Sequence, residues 1–412
     1  MRDILGRLSL VLDDRQRELP ADTVTRWREE LAGRLGRYAA PEPVLLAREL
    51  FAAEAVFGSP HAVDEPGWES APGRGRILAL DNTVVGEDWA HVTVSPARTS
   101  ATGATRTVLY GFKGGVGRST ATFMLGKHLA DRGHCVLVVD LDLESPGSGP
   151  LLLGEDATPQ YGLIDHLVES ALDNAEGLDL VARASVPSLG NGELWVAPAR
   201  GRGREGVPYA YVGKLNRVYA DVPGIAPSTF ADRLEAAVAA CESAVAERSR
   251  RPDIVLLDSR AGIHDIAAIA ISRLCDLALL FGSDSGQTWH GYRDLFTAWR
   301  ASGQGAAIRE KLRMVASMVP DEHRSDYLAS FREHSWTCFS VLYDDLTADD
   351  LTGFNPSPDD VSAPHSPIPI LFTHELVGLD GATSPGWSDR RFVQAAYGEF
   401  LDTAARLIVE GV

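Results

Sequence analysis

The stretch Thr107–Thr120, TVLYGFKGGVGRST, decides the fold of this 412-residue chain. Its first part, Thr107–Phe112, is mostly β-branched, aromatic or aliphatic, a composition typical of a buried strand. A glycine-rich segment follows, and after it apolar residues recur at helical spacing until Gly133, a residue type that commonly ends a helix. The order strand, glycine loop, helix is the arrangement that a phosphate-binding loop requires.

The glycine loop has the chemistry of an anion site. Glycine permits positive φ and a close approach of the backbone to a ligand, and the first N–H groups of a helix favour negative charge. The usual pattern G-x-x-x-x-G-K-[ST] has lysine where this chain has Arg118, whose planar guanidinium keeps the charge but changes the geometry. The hydroxyl of Ser119 can ligate Mg²⁺. We predict that the phosphates are held by Gly114, Gly115, Val116, Gly117, Arg118, Ser119 and Thr120.

Two further apolar runs end in carboxylates. Cys135–Val139 is followed by Asp140 and Asp142, and Ile254–Leu257 is followed by Asp258. Continuous apolar runs are typical of parallel strands buried on both faces, and ligands bind such sheets at the carboxyl ends of the strands. These aspartates are therefore expected beside the phosphates, with Asp258 in the arrangement that holds Mg²⁺.

The segment KGGVGRS resembles the deviant Walker A motif of the ParA/MinD group of P-loop ATPases, KGG-x-GK-[ST], in the form KGGVGR carried by a subgroup of bacterial ATPases. The resemblance implies that Lys113 reaches across a dimer to the partner's nucleotide. It also implies that the D-x-D pair forms switch I, in which Asp142 positions the attacking water and Asp140 supports it. The catalytic residues are then Lys113, Arg118 and Asp142, and the metal residues are Ser119, Asp140 and Asp258.

The segment DSRAG resembles the family's switch II, DSPAG, with Arg260 in place of proline. Three roles are open for Arg260: it supplies charge to a phosphate, it pairs with Asp265, or it is exposed. The segment Ser145–Gly149 is predicted to move in response to the γ-phosphate.

Alternating strands and helices predict an α/β fold, a three-layer sandwich with a mostly parallel sheet, over residues 76–412. Residues 1–75 are predicted to be a helical N-terminal region that ends in a Pro/Gly-rich linker. Its helices are expected in the amphipathic stretches Leu5–Val11, Val24–Leu35 and Val44–Phe57. They form either a small domain packed on the ATPase or, through residues 1–57, a docking module for a protein partner.

Charge and composition limit the function classes. The net charge is −18, from 39 basic and 57 acidic residues, so nucleic acid is not the expected partner. A basic cluster from Arg200 to Arg217 leaves a DNA-partition role as an alternative. The final predicted helix, Phe392–Val409, is acidic rather than basic, which argues against membrane binding. We expect a cytoplasmic protein, since four scattered cysteines indicate reduced thiols: Cys135, Cys241, Cys275 and Cys338.

By resemblance, the predicted function is that of a molecular switch that binds ATP and Mg²⁺, hydrolyses ATP slowly without a partner, dimerises around the nucleotide and signals to a protein. The alternative is a regulatory module that binds nucleotide with little or no turnover, because the arginine at position 118 departs from the family's lysine.

Overall fold

The computed structural model describes residues 1–3, 5–51, 53–59, 62–64, 76–80, 89, 103–219, 229–345, 353–376 and 386–411. The chain divides into two compact units, Met1–Glu87 and Asp88–Val412. The boundary that the sequence predicts, after residue 75, ends a stretch outside the described residues, so its position stays a prediction.

The first unit combines strands and helices. Its elements are β1 (Leu8–Leu12), α1 (Ala21–Leu35), β2 (Ala39–Leu46), α2 (Ala53–Phe57), β3 (Ala62–Asp64) and β4 (Leu78–Leu80). Strands β1 and β2 pair in parallel, and β3 pairs with β4 antiparallel. The Pro/Gly-rich linker that the sequence predicts over residues 58–75 therefore contains a strand, β3, while residues 65–75 lie outside the described part.

The helical prediction for this unit is right at α1 and wrong at two other places. A strand replaces the helix expected over Leu5–Val11, and another occupies the start of Val44–Phe57. Pro41 and Pro43 lie inside β2 and set an extended path into that second stretch, because proline has no N–H to continue a helix. Short apolar runs do not by themselves distinguish a strand from a helix.

The second unit is built on an eight-stranded sheet in the order β12-β11-β10-β5-β9-β6-β8-β7. Neighbouring strands pair in parallel except for β7 and β8. The strands are β5 (Thr105–Gly111), β6 (Cys135–Asp140), β7 (Ala182–Arg183), β8 (Glu193–Ala197), β9 (Ile254–Asp258), β10 (Leu277–Gly282), β11 (Leu312–Val319) and β12 (Ile368–Leu371).

Helices connect these strands and cover both faces of the sheet. They are α3 (Arg118–Asp131), α4 (Ser148–Leu152), α5 (Leu163–Ser170), α6 (Tyr211–Val218), α7 (Phe230–Arg248), α8 (Asp265–Ile269), α9 (Gly286–Ala301), α10 (Gly305–Arg309), α11 (Arg324–Phe339) and α12 (Arg391–Glu410). Five of them are absent from the sequence prediction: α4, α6, α8, α10 and α11.

Two separate hydrophobic cores show the three layers. Leu109 of β5 packs with Phe123 of α3 and Phe400 of α12 on one face. Its neighbour Val108 packs on the other face in a core that includes Val238 of α7. Because successive strand residues point to opposite faces, the sheet lies between two helical layers, and the predicted fold class is confirmed.

Candidate functional site

The phosphate loop leaves β5 at Gly111 and enters α3 at Arg118. Gly115 and Gly117 have φ values of +78° and +77°, the left-handed region that favours glycine. Gly117 caps α3 without a side-chain hydrogen bond, so no cap takes the first N–H groups of the helix. Lys113 is exposed, and no ion pair within the described residues engages it.

Arg118 lies at the centre of the site. Its Nε donates to Oδ1 of Asp258 at 2.9 Å, and its Nη2 donates to Oδ2 of Asp142 at 3.1 Å. The arginine side chain is only 9% exposed, so both ion pairs are shielded from water. The guanidinium has five N–H donors in total, so it retains donors beyond these two bonds. The structure thus brings three of the predicted site residues into direct contact.

Asp140 is fully buried and organises the loop that follows β6. Its Oδ1 accepts from the N–H of Asp142 at 3.2 Å, and its Oδ2 accepts from the N–H groups of Gly147 and Gly149 at 3.1 and 2.9 Å. It pairs in register with Asp258 on β9. Burial and then the neighbouring charge of Asp258 raise the pKa of Asp140 to about 8.

The oxygens of Ser119 and Asp258 border one small space. A Cβ on Gly147 would lie 2.5 Å from Ser119 Oγ and 3.9 Å from Asp258 Oδ2, so only glycine leaves this space open. Asp258 Oδ2 is buried and accepts no hydrogen bond. An unpaired carboxylate oxygen beside a hydroxyl fits the predicted Mg²⁺ site. The described residues hold no group of three His, Cys, Asp or Glu side chains placed for a metal, so further ligands would come from phosphate or water.

Asp142 is less deeply buried than Asp140. Burial raises the pKa of the Asp142 carboxyl, whereas the Arg118 guanidinium opposes that shift. Its Oδ1 accepts from the N–H of Ser145 at 3.2 Å. The carboxylate is therefore fixed by a cation on one side and by its own loop on the other.

A second ion pair joins the loops after β6 and β9. Arg260 Nη1 lies 2.5 Å from Oε2 of Glu144. Oε1 of Glu144 accepts a hydrogen bond from the hydroxyl of Tyr219 and lies 3.6 Å from Nε2 of His264. Glu144 is not among the residues predicted from the sequence, although it follows Asp142 by two positions, as Arg260 follows Asp258. One of the three roles predicted for Arg260 is a pairing with Asp265. In the structure Arg260 pairs with Glu144 instead.

The predicted basic cluster does not form one free patch. Lys214 pairs with the buried Asp165. The guanidinium of Arg200 stacks over Tyr209 and Tyr211, 5.2 and 5.7 Å from the ring centroids. The sequence alternative of a DNA-binding surface in this cluster stays a prediction.

The profile of the CobQ/CobB/MinD/ParA nucleotide-binding domain matches residues 107–345, which is more than half of the chain. The chain belongs to this family. Membership in the CobQ/CobB/MinD/ParA family confirms the resemblance to ParA/MinD-type P-loop ATPases and supports nucleotide binding and ATPase chemistry in general. The KGGVGR subgroup stays a prediction. A search of curated proteins finds no match.

Solved structures of MinD and ParA proteins are similar to this chain. The MinC:MinD complex of Aquifex aeolicus is 19% identical, with 75% of this chain and 97% of that chain covered and a TM-score of 0.43. MinD of Pyrococcus furiosus is also 19% identical, with 74% and 99% covered and a TM-score of 0.43. A ParA family ATPase from Chlorobium tepidum is 13% identical, with 72% and 98% covered and a TM-score of 0.42.

Every helix in the described part of the chain is too short or too polar to cross a bilayer. The cytoplasmic location that the cysteines suggest stays a prediction.

Proposed function

We propose that this protein is a Mg²⁺-dependent ATP-hydrolysing switch that dimerises around nucleotide and signals to a protein partner. One observation supports it most: Arg118, at the start of the phosphate-loop helix, joins Asp142 and Asp258 across two neighbouring strand ends. An anion bound by the loop would lie next to a cation and to both switch carboxylates.

Each residue has a role in this proposal. The N–H groups of the loop, from Gly114 to Thr120, hold the phosphates. Arg118 neutralises phosphate charge with the donors that its carboxylates leave free. Asp142 orients the attacking water. Ser119 and Asp258 would hold Mg²⁺, with Asp140 in support; when bound, the ion neutralises charge on the phosphates.

The dimer part of the proposal concerns Lys113. An exposed lysine at the mouth of a phosphate loop is free to reach a nucleotide on a second copy of the chain. We propose that signalling to the protein partner involves residues 1–57. The same proposal includes slow ATP hydrolysis in the absence of that partner.

Phosphate release from Mg·ATP by the purified protein tests the enzyme proposal. We expect Asp142→Ala to lower the rate at least about 100-fold, the usual contribution of a positioned base. Asp326→Ala is the control, since Asp326 is an exposed aspartate on α11. Equal rates in wild type and Asp142→Ala would contradict the proposal.

One observation favours a second candidate, a module that binds nucleotide without turnover. The guanidinium of Arg118 is already engaged by two carboxylates, so a phosphate must share or displace them. This candidate predicts that wild-type protein binds Mg·ATP yet releases no phosphate above the rate of Asp142→Ala. Binding measured by calorimetry and turnover measured on the same preparation separate the two candidates.

A further inference from the structure

Two loops at the carboxyl edge of the sheet each carry a second charge two residues after the aspartate. Glu144 follows Asp142, and Arg260 follows Asp258. The two charges meet at 2.5 Å, with their side chains 21% and 31% exposed. Two ion-pair bridges therefore join the same loops: a buried one through Arg118 and one nearer the surface through Glu144 and Arg260.

Glu144 is held by more than its arginine. The hydroxyl of Tyr219 donates to its Oε1. Nδ1 of His264 accepts from the N–H of Ile266, so the neutral imidazole carries its proton on Nε2, the atom that faces Glu144. Each of these partners limits the freedom of the glutamate side chain.

The backbone between Asp142 and Glu144 is also held in place by hydrogen bonds. The hydroxyl of Tyr211 donates to the carbonyl oxygen of Leu143 at 2.5 Å. The N–H of Asp142 donates to Asp140. Asp142 is thus fixed on its amino-terminal side by Asp140 and on its carboxyl-terminal side by the contacts of Leu143 and Glu144.

An isolated surface ion pair contributes little to stability because water screens it. The Glu144–Arg260 pair differs because it is mostly shielded and the glutamate has hydrogen-bonded neighbours. Replacing Arg260 leaves the partly buried carboxylate of Glu144 without its arginine, and replacing Glu144 leaves the guanidinium of Arg260 without its carboxylate.

We propose that Glu144 and Arg260 form a latch between switch I and switch II that positions Asp142 for hydrolysis. This inference rests on the proposed function for its activity readout. The latch fixes the spacing of the loops, so a change at switch II is transmitted to the carboxylate that orients water. Glu144 and Arg260 act through Asp142 and are positioning residues. Arg260 stands where the family has proline, so this link between the two switches is specific to this chain.

Three variants test the latch by turnover: Glu144→Gln, Arg260→Gln and the double variant. We expect each single change to lower kcat about tenfold while KM changes less than about twofold, because small displacements of a reacting group reduce rate more than binding. The double variant is expected to be no slower than Arg260→Gln, since both remove one shared interaction.

A matched control comes from Arg273, which bridges Asp232 and Glu235 at 2.7 Å and is 24% exposed, away from the site. Arg273→Gln is expected to leave kcat unchanged. Additive losses in the double variant, or a change in KM without a change in kcat, would overturn the latch.

Hydrogen exchange of the nucleotide-free protein tests the latch independently of turnover. In Arg260→Gln we expect the amides of residues 141–149 to exchange about tenfold faster, because local opening becomes easier. Arg273→Gln should leave them unchanged. If wild type releases no phosphate, the proposed function fails while the exchange result still decides the latch. Unchanged exchange of residues 141–149 in Arg260→Gln would overturn it.

Discussion

Buried arginines lie at both ends of β5, in opposite electrostatic settings. At the amino end, Arg106 is 1% exposed and its Nε donates to Glu242 at 2.7 Å, one cation to one carboxylate. Just beyond the carboxyl end, Arg118 meets two carboxylates, with a third, Asp140, behind them.

This difference separates a structural end of the sheet from a functional one. At the amino end the guanidinium of Arg106 pairs with one carboxylate, and the atom left without a partner is a donor, its Nη2. A site with more buried carboxylates than cations is expected to attract positive charge. The unpaired Oδ2 of Asp258 is the atom that a bound cation would contact. Groups with perturbed pKa values cluster at functional sites for this reason.

The strongest test of the comparison removes each arginine. Arg106→Met and Arg118→Met should each lower the free energy of unfolding by about 3–5 kcal/mol, because each leaves buried acids uncompensated. Millimolar Mg²⁺ should recover part of the loss in Arg118→Met and none in Arg106→Met. Urea unfolding with and without Mg²⁺ measures this. Equal recovery in both variants would remove the distinction between the two ends.

A smaller effect is expected from adding one methyl group at the carboxyl edge. Gly147→Ala places a Cβ 2.5 Å from Ser119 Oγ and 3.1 Å from its Cβ, so the hydroxyl must move. We expect a stability loss of about 1–3 kcal/mol and weaker binding of Mg·ATP by calorimetry. Gly398→Ala on α12 is the control, since its Cβ meets nothing within 4 Å. Unimpaired Mg·ATP binding in Gly147→Ala would contradict the site geometry.

The last effect concerns pH. Because burial raises the pKa of Asp140 to about 8, the folded protein holds a proton that the unfolded chain releases near pH 4. This contribution to stability is therefore complete below about pH 4 and is lost as pH rises towards 8, with a slope of at most about 1.4 kcal/mol per pH unit.

Asp140→Asn should remove that part of the pH dependence, which unfolding at pH 5 and pH 8 would measure. Asp326→Asn serves as the surface control. A wild-type slope that Asp140→Asn leaves unchanged would show that Asp140 is ionised throughout.

The sequence predicts the centre of the sheet well, for a physical reason. Strands β6 and β9 are buried on both faces, so they are continuous apolar runs that need no partner to be recognised. The phosphate loop can be predicted equally well from its glycines, because Gly115 and Gly117 adopt backbone conformations that other residues avoid.

Long-range pairing could not be predicted in the same way. The partner of Arg260 depends on the register that places Asp140 beside Asp258, which only the folded sheet determines. The N-terminal strands were missed because short apolar runs suit either secondary structure. Helix α11 was missed because its buried residues, among them Phe331 and Phe339, are few among polar neighbours.

The central claim is that the phosphate loop, Arg118, Asp142 and Asp258 form one Mg·ATP site. Melting temperature with millimolar ATP, in Mg²⁺ or in EDTA, tests it most directly for wild type and Asp258→Asn. A ligand that binds only the folded state raises the melting temperature. We expect a rise in melting temperature for wild type in Mg²⁺, which EDTA reduces and Asp258→Asn abolishes. An unchanged wild-type melting temperature, or an equal rise in Asp258→Asn, would contradict it.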